Sequence, residues 1–157
     1  MTLHIICVDD QREVLAALQN DLSVLPFGVE GCESAEEAWE VIEELDASGK
    51  FVALIICDQV MPDKNGVDFL AEVATDDRFS HTRKMLLTGL ATHSDTIRAI
   101  NESNIDMYVE KPWNVESLLD HIRRLVTESV VSARLDYSSM IDILHSETLF
   151  EALRKKT

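Results

Sequence analysis

The sequence predicts an α/β fold: a doubly wound, five-stranded parallel sheet in the order 2-1-3-4-5, with five flanking helices and a C-terminal helical extension. Three observations lead there. Apolar runs of strand length alternate along the chain with stretches of helical periodicity. The run Phe51 to Cys57 is apolar on both faces, as a central parallel strand covered by helices on each side must be. Two of these runs end in carboxylates, Leu3 to Val8 in Asp9-Asp10 and Phe51 to Cys57 in Asp58. Parallel neighbours need crossover helices, and those crossovers are right-handed, so the alternation itself specifies the winding.

The elements follow in order. After the first strand, Val14, Leu15, Leu18, Leu22 and Leu25 recur at helical spacing across Gln11 to Leu25, and Pro26 stops the helix. Phe27 to Cys32 contains two glycines and alternates weakly, which suits a strand at the sheet edge. Ser34-Ala35-Glu36-Glu37 is a capping box with Ser34 as N-cap, opening a helix to about Leu45, and Gly49 lies just beyond it. Beyond the central strand, the turn Gln59 to Gly66 leads to a third helix marked by Val67, Phe69, Leu70, Val73 and Ala74. Lys84 to Thr88 is the fourth strand, followed by Gly89 and a fourth helix capped near Ser94 or Asp95. Ile105 to Lys111 is the fifth strand, more polar than the others, and Lys111-Pro112 precedes a fifth helix from about Val115.

Composition narrows the class of protein. A chain of 157 residues with 46% hydrophobic content can build one good core and little more. The formal net charge of -15 repels phosphate backbones, so direct nucleic-acid binding through the surface is not expected. No stretch is long enough to span a membrane and no signal-peptide pattern opens the chain, so a cytoplasmic protein is expected. The three cysteines, Cys7, Cys32 and Cys57, lack metal or redox spacing, and Cys7 and Cys57 read as small hydrophobes inside strands. The five histidines show no paired spacing of a ligand set.

In a doubly wound sheet the ligand belongs at the C-terminal strand ends, at the switch point between strands one and three. Those strands carry Asp9, Asp10 and Asp58. Carboxylates a few ångströms apart repel unless one is protonated or a hard cation sits among them. Magnesium suits the case, because it accepts one or two direct carboxylates, keeps waters and is completed by phosphate oxygens. Thr88 ends strand four with a hydroxyl, Gly89 leaves room beside it, and Lys111 ends strand five with a cation. Together they can hold the oxygens of a phosphoryl group carried on Asp58.

At these residues the chain resembles the receiver domain of bacterial response regulators, of the flavodoxin-like fold typified by the single-domain chemotaxis regulator. The resemblance covers roughly residues 3–130 and rests on Asp9-Asp10, Asp58, Met61-Pro62 with Gly66, Thr88-Gly89 and Lys111-Pro112 in order. It implies that Asp58 is the phosphoacceptor, charged by a sensor histidine kinase, a phosphotransfer protein or a small phosphodonor. It further implies that Asp10 ligates magnesium directly, Asp9 mainly through water, and Val60 through its backbone carbonyl. Thr88 and Lys111 would bind the phosphoryl oxygens, and Tyr108 matches the aromatic switch position. Output would pass by protein-protein contact through the surface of helix four, strand five and helix five to a downstream target. Such a protein is not an enzyme beyond its own phosphorylation and dephosphorylation.

Several features depart from the common pattern. Lys64 stands where the turn often carries an apolar residue, and apolar Val60 and Leu90 flank the site where polar residues in some relatives position the hydrolytic water. Slow loss of the phosphoryl group is expected from them. Trp113 fits either a cover over the start of the last helix or a receiver attached to a larger effector. The receiver is expected over residues 1–130 and a helical extension over 131–157. Its apolar set, Met140, Ile141, Leu144, Leu149, Phe150 and Leu153, ends in Arg154-Lys155-Lys156, which suits a helix C-terminus. A lone helix cannot bury such a stripe, so pairing with a second copy is expected first, ahead of folding back or docking on a partner. The alternatives are a receiver fragment of a larger effector and, behind it, a phosphatase of the haloacid dehalogenase type. The latter wants an acid two residues after the nucleophile, where this chain has Val60.

Overall fold

The computed structural model describes residues 2–89, 101 and 104–155. Strands β1 (Leu3–Val8), β2 (Gly28–Cys32), β3 (Phe51–Cys57), β4 (Arg83–Thr88) and β5 (Met107–Glu110) form one sheet in the order β2-β1-β3-β4-β5. Every pairing is parallel, as the crossover argument requires. The helix expected near Ser94 or Asp95, together with Leu90, lies outside the described residues.

Alternation along the strands divides the interior into two clusters. Leu3, Ile5 and Cys7 of β1 face one cluster with α1 (Arg12–Leu22) and the helix Val115–Ser132. Ile6 and Val8 face the other, with α2 (Ala35–Ala47) and α3 (Gly66–Ala74). β1 is therefore buried along its whole length, whereas β2 is half-buried as an edge strand should be.

Helix ends follow local hydrogen bonding. α1 stops at Leu22, three residues before its apolar spacing ends, because the residue preceding Pro26 disfavours helix and Leu25 closes a turn onto the Leu22 carbonyl at 3.0 Å. The Ser34 hydroxyl accepts the Glu37 N–H at 3.1 Å, as the capping box predicts, but the Glu37 carboxylate accepts from Glu33 rather than from the cap residue. Asn65 caps α3 by accepting the Asp68 N–H at 2.8 Å. No helix among the described residues is long and apolar enough to cross a membrane.

The extension folds back on its own chain. The helix Val115–Ser132 runs through the expected 130/131 boundary, and Val130 and Val131 are both buried. After a turn in which Arg134 adopts a positive φ of 57°, the chain reaches a last helix, Ser146–Lys155. Met140, Leu144 and Leu149 are buried in the same cluster as Leu118, Ile122 and Leu125. Thr127 receives the His145 N–H on its hydroxyl at 2.8 Å, and the His145 ring lies 3.2 Å from Asp120. Fold-back, placed behind pairing with a second copy in the sequence reading, is thus the arrangement observed. Ile141 and Phe150 are left exposed.

Candidate functional site

The acidic corner is assembled by sheet register. β1 and β3 are neighbours with Val8 opposite Cys57, so the residues that follow each strand arrive side by side. Backbone hydrogen bonds extend one step further: the Asp58 N–H donates to the Val8 carbonyl and the Asp9 N–H to the Cys32 carbonyl, both at 3.0 Å. Carboxylate oxygens of Asp9, Asp10 and Asp58 consequently lie within 4.8 Å of one another. Asp9 and Asp58 are buried, at 3% and 7% exposure, while Asp10 is half-buried.

Lys111 arrives from the other side. Thr88 pairs with Glu110 across β4 and β5, and the Lys111 N–H continues the ladder to the Thr88 carbonyl at 3.2 Å. Its ammonium donates to Asp9 Oδ2 at 2.6 Å and lies 3.3 Å from Asp58 Oδ1. Burial pulls the Lys111 pKa down, but the hydrogen bond to Asp9 and the charge of Asp58 outweigh it, leaving the group above its ordinary value. A cation thus bridges the two buried carboxylates.

A cavity of about 270 Å³ opens beside them, lined by Asp10, Asp58, Val60, Thr88, Gly89 and Lys111 along with Gln11. Val60 is half-exposed at 51%, and Thr88 is buried at 1%. Asp9 sits outside that lining, bonded to Lys111 and to the Gln11 N–H at 2.9 Å. Three hard oxygen donors suit a small divalent cation, and a neutralising charge is what two buried carboxylates beside a third require.

Two glycines play unequal parts. At Gly89 a Cβ would meet, among the described residues, only Lys111, at an ordinary 3.7 Å. At Gly66 a Cβ would run into the Asp58 carbonyl oxygen. That backbone approach lets the first turn of α3 seal the end of β3. The Gly66 N–H donates to the Gln59 carbonyl at 3.0 Å, and the buried Gln59 side chain accepts the Val67 N–H at 2.9 Å. Gln59 was missed in the sequence, where a polar turn residue carries no signal of burial.

Tyr108 is half-buried opposite Leu86 and packs on the cluster beneath α2 and α3. Trp113 donates its indole N–H to Asp21 at 2.9 Å, tying the approach to the Val115–Ser132 helix to α1. All three cysteines are free and buried. Burial pushes the Cys32 thiol up to about 12 and raises those of Cys7 and Cys57 well above the ordinary thiol value, so they stay protonated and behave as hydrophobes.

The family described as response regulator receiver domain matches residues 5–123. The hydrogenase transcriptional regulatory protein HoxA of Cupriavidus necator is 33% identical over 122 residues, which are 78% of this chain and 24% of HoxA. Chemotaxis protein CheY1 of Helicobacter pylori is 28% identical over 120 residues, covering 76% of this chain and 94% of CheY1. Among solved structures, the signal receiver domain of an HD domain-containing protein from Pseudomonas fluorescens Pf-5 superposes with a TM-score of 0.74. The two share 28% identity over 83% of this chain and 99% of that one.

Proposed function

The chain belongs to the response regulator receiver domain family, and on that premise we propose that it is a phosphorylation-controlled switch with Asp58 as phosphoacceptor. Receivers are in general signalling domains rather than enzymes. The observation that carries the reading is the gathering of Asp9, Asp10 and Asp58 within 4.8 Å beside a cavity reached by Thr88 and Lys111.

An Asp58 carboxylate oxygen attacks the phosphorus of a phosphohistidine on a sensor histidine kinase or phosphotransfer protein, or of a small phosphodonor. From phosphohistidine the new O–P bond forms as the P–N bond breaks, and the departing imidazole retains the electron pair and takes up a proton. From acetyl phosphate a P–O bond breaks and acetate leaves with the electron pair. Magnesium, held by Asp10 and Asp58 with the Val60 carbonyl and with Asp9 acting through water, would offset the charge on the phosphoryl oxygens. Thr88 donates its hydroxyl to one of those oxygens. Lys111 transfers part of its hydrogen bonding from Asp9 to another. These bonds exist in only one state of the domain, which makes the phosphoryl group a bias on a two-state element. A swing from mostly inactive to mostly active takes about 5 kcal/mol of differential binding, within reach of a few charge-assisted hydrogen bonds. Tyr108, opposite Leu86 and so two positions along the β4–β5 ladder from the Thr88–Glu110 pair, transmits the change to a surface read by a downstream protein in the cytoplasm.

A second reading has its own support. The chain spans about a quarter of HoxA, so it also fits the receiver portion of a larger effector protein. Incubation with magnesium and acetyl phosphate tests the central claim: the wild-type chain gains a base-labile phosphate and Asp58→Asn gains none. Equal labelling of the two proteins would refute it.

A further inference from the structure

On the sheet face covered by α2 and α3, a groove of about 770 Å³ opens between the first turns of α2 and the loop joining β3 to α3. Trp39, Ala35 and Pro62 give it an apolar lining, and the acids around it include Glu36, Glu40 and Asp63. These three side chains are exposed and have no ion pair among the described residues. Lys64, the cation of the groove, is already paired with Glu72.

The apolar part is fixed in advance. The Trp39 ring meets Phe69 edge-on at 5.9 Å and leans on Phe79 at 6.1 Å, while its N–H donates to Glu72 at 3.1 Å. Glu72 is in turn held by Lys64 on the opposite wall. A partner arriving here need not order the indole, and preorganised aromatic side chains are frequent anchors of binding energy.

We infer that this groove docks a basic peptide segment of a partner protein, with an aliphatic side chain on Trp39 and Arg or Lys side chains against Glu36, Glu40 and Asp63. Charge decides among occupants. Nucleic acid is repelled by unpaired carboxylates, and a second copy carries the same net charge of -15. An arginine meets both needs at once, because its planar guanidinium stacks on an indole and pairs with carboxylates. The inference does not depend on phosphorylation of Asp58.

The test is a titration of the ¹⁵N-labelled chain, at about 0.15 M salt to screen distant charges, with a synthetic hexapeptide alternating arginine and leucine. A peptide with glutamate in place of arginine is the control. The Arg/Leu peptide should shift the Trp39 indole N–H and leave that of Trp113 in place. Trp39→Ala, or the double change Glu36→Lys with Glu40→Lys, should weaken binding at least about tenfold. Since both glutamates are exposed, the double variant keeps the test open if Trp39→Ala does not fold. Asp142→Lys with Glu151→Lys makes the same change of net charge on the far face and should weaken binding less than about threefold. Failure to bind, equal binding of the glutamate peptide, or equal loss in the two double variants would overturn the inference. So would self-association of the free chain that Trp39→Ala abolishes.

Discussion

The two ends of the sheet both bury polar side chains, and they satisfy them in opposite ways. At the C-terminal end, Asp9 and Asp58 are buried facing Lys111, so charge is compensated by charge. At the N-terminal end, His4 and Lys84 are buried with weaker partners: Lys84 donates to the Thr82 carbonyl at 3.2 Å, and the His4 ring lies 3.6 Å from the Glu30 carboxylate, beyond hydrogen-bond reach. Desolvation lowers the pKa of both groups. At one end an ammonium faces two carboxylates at close range; at the other, burial works against the charged form of each side chain. Only the first arrangement can be shifted by an arriving phosphoryl group and cation.

Four substitutions would break or sharpen that contrast. Gly66→Ala should do most, since its Cβ meets the Asp58 carbonyl and the tip of β3 must move: a loss of about 4 kcal/mol in urea unfolding, with phosphate uptake impaired as well. A near-neutral result would mean that the close approach is not what holds the acidic end together. Lys111→Met removes the bridging cation from two buried carboxylates and should destabilise by about 2 to 3 kcal/mol, allowing for the partial exposure of Lys111. The rise in melting temperature on adding magnesium should then exceed that of the wild type, and a smaller rise would contradict charge compensation at this end.

The opposite end should respond weakly. Lys84→Met is expected to change stability by less than about 1 kcal/mol, because an apolar side chain of similar length replaces a group already burdened by burial. A large loss in chemical denaturation would show that Lys84 remains charged and paired. Smallest of all is the pH effect of His4. Its folded pKa lies below 6.5, so as pH falls through 6.5 the unfolded chain takes up a proton that the folded chain refuses, and stability declines. His4→Leu should flatten that slope by less than about 1 kcal/mol between about pH 7 and 5. A variant with an unchanged slope would assign the acid sensitivity to other groups.

Much of the C-terminal end was legible beforehand, because a carboxylate closing an apolar run is a local pattern. Asp9, Asp10, Asp58, Thr88 and Lys111 could each be placed at a strand tip from periodicity alone, and the structure brings all five to one corner. What periodicity misses is partnership. That Lys111 bonds Asp9 at 2.6 Å depends on the stagger of strands separated by about a hundred residues. Gln59 under α3 and the buried Lys84 escaped for the same reason: the burial of a single polar residue is decided by what packs above it. The extension shows the limit most plainly, since its apolar spacing demanded a cover and could not say whose.

By itself, the sequence determined the alternation of strands and helices, the two-faced burial of β3, the caps at Ser34 and the set of acids at the strand ends. These are consequences of side-chain period and backbone chemistry within a dozen residues. Only the tertiary structure decided that Gly66 must lack a side chain, that Trp39 forms part of an acidic groove, and that the last helix lies on its own receiver. Each of these rests on surfaces from distant segments meeting at contact distance, and one-dimensional spacing carries no information about which surfaces meet.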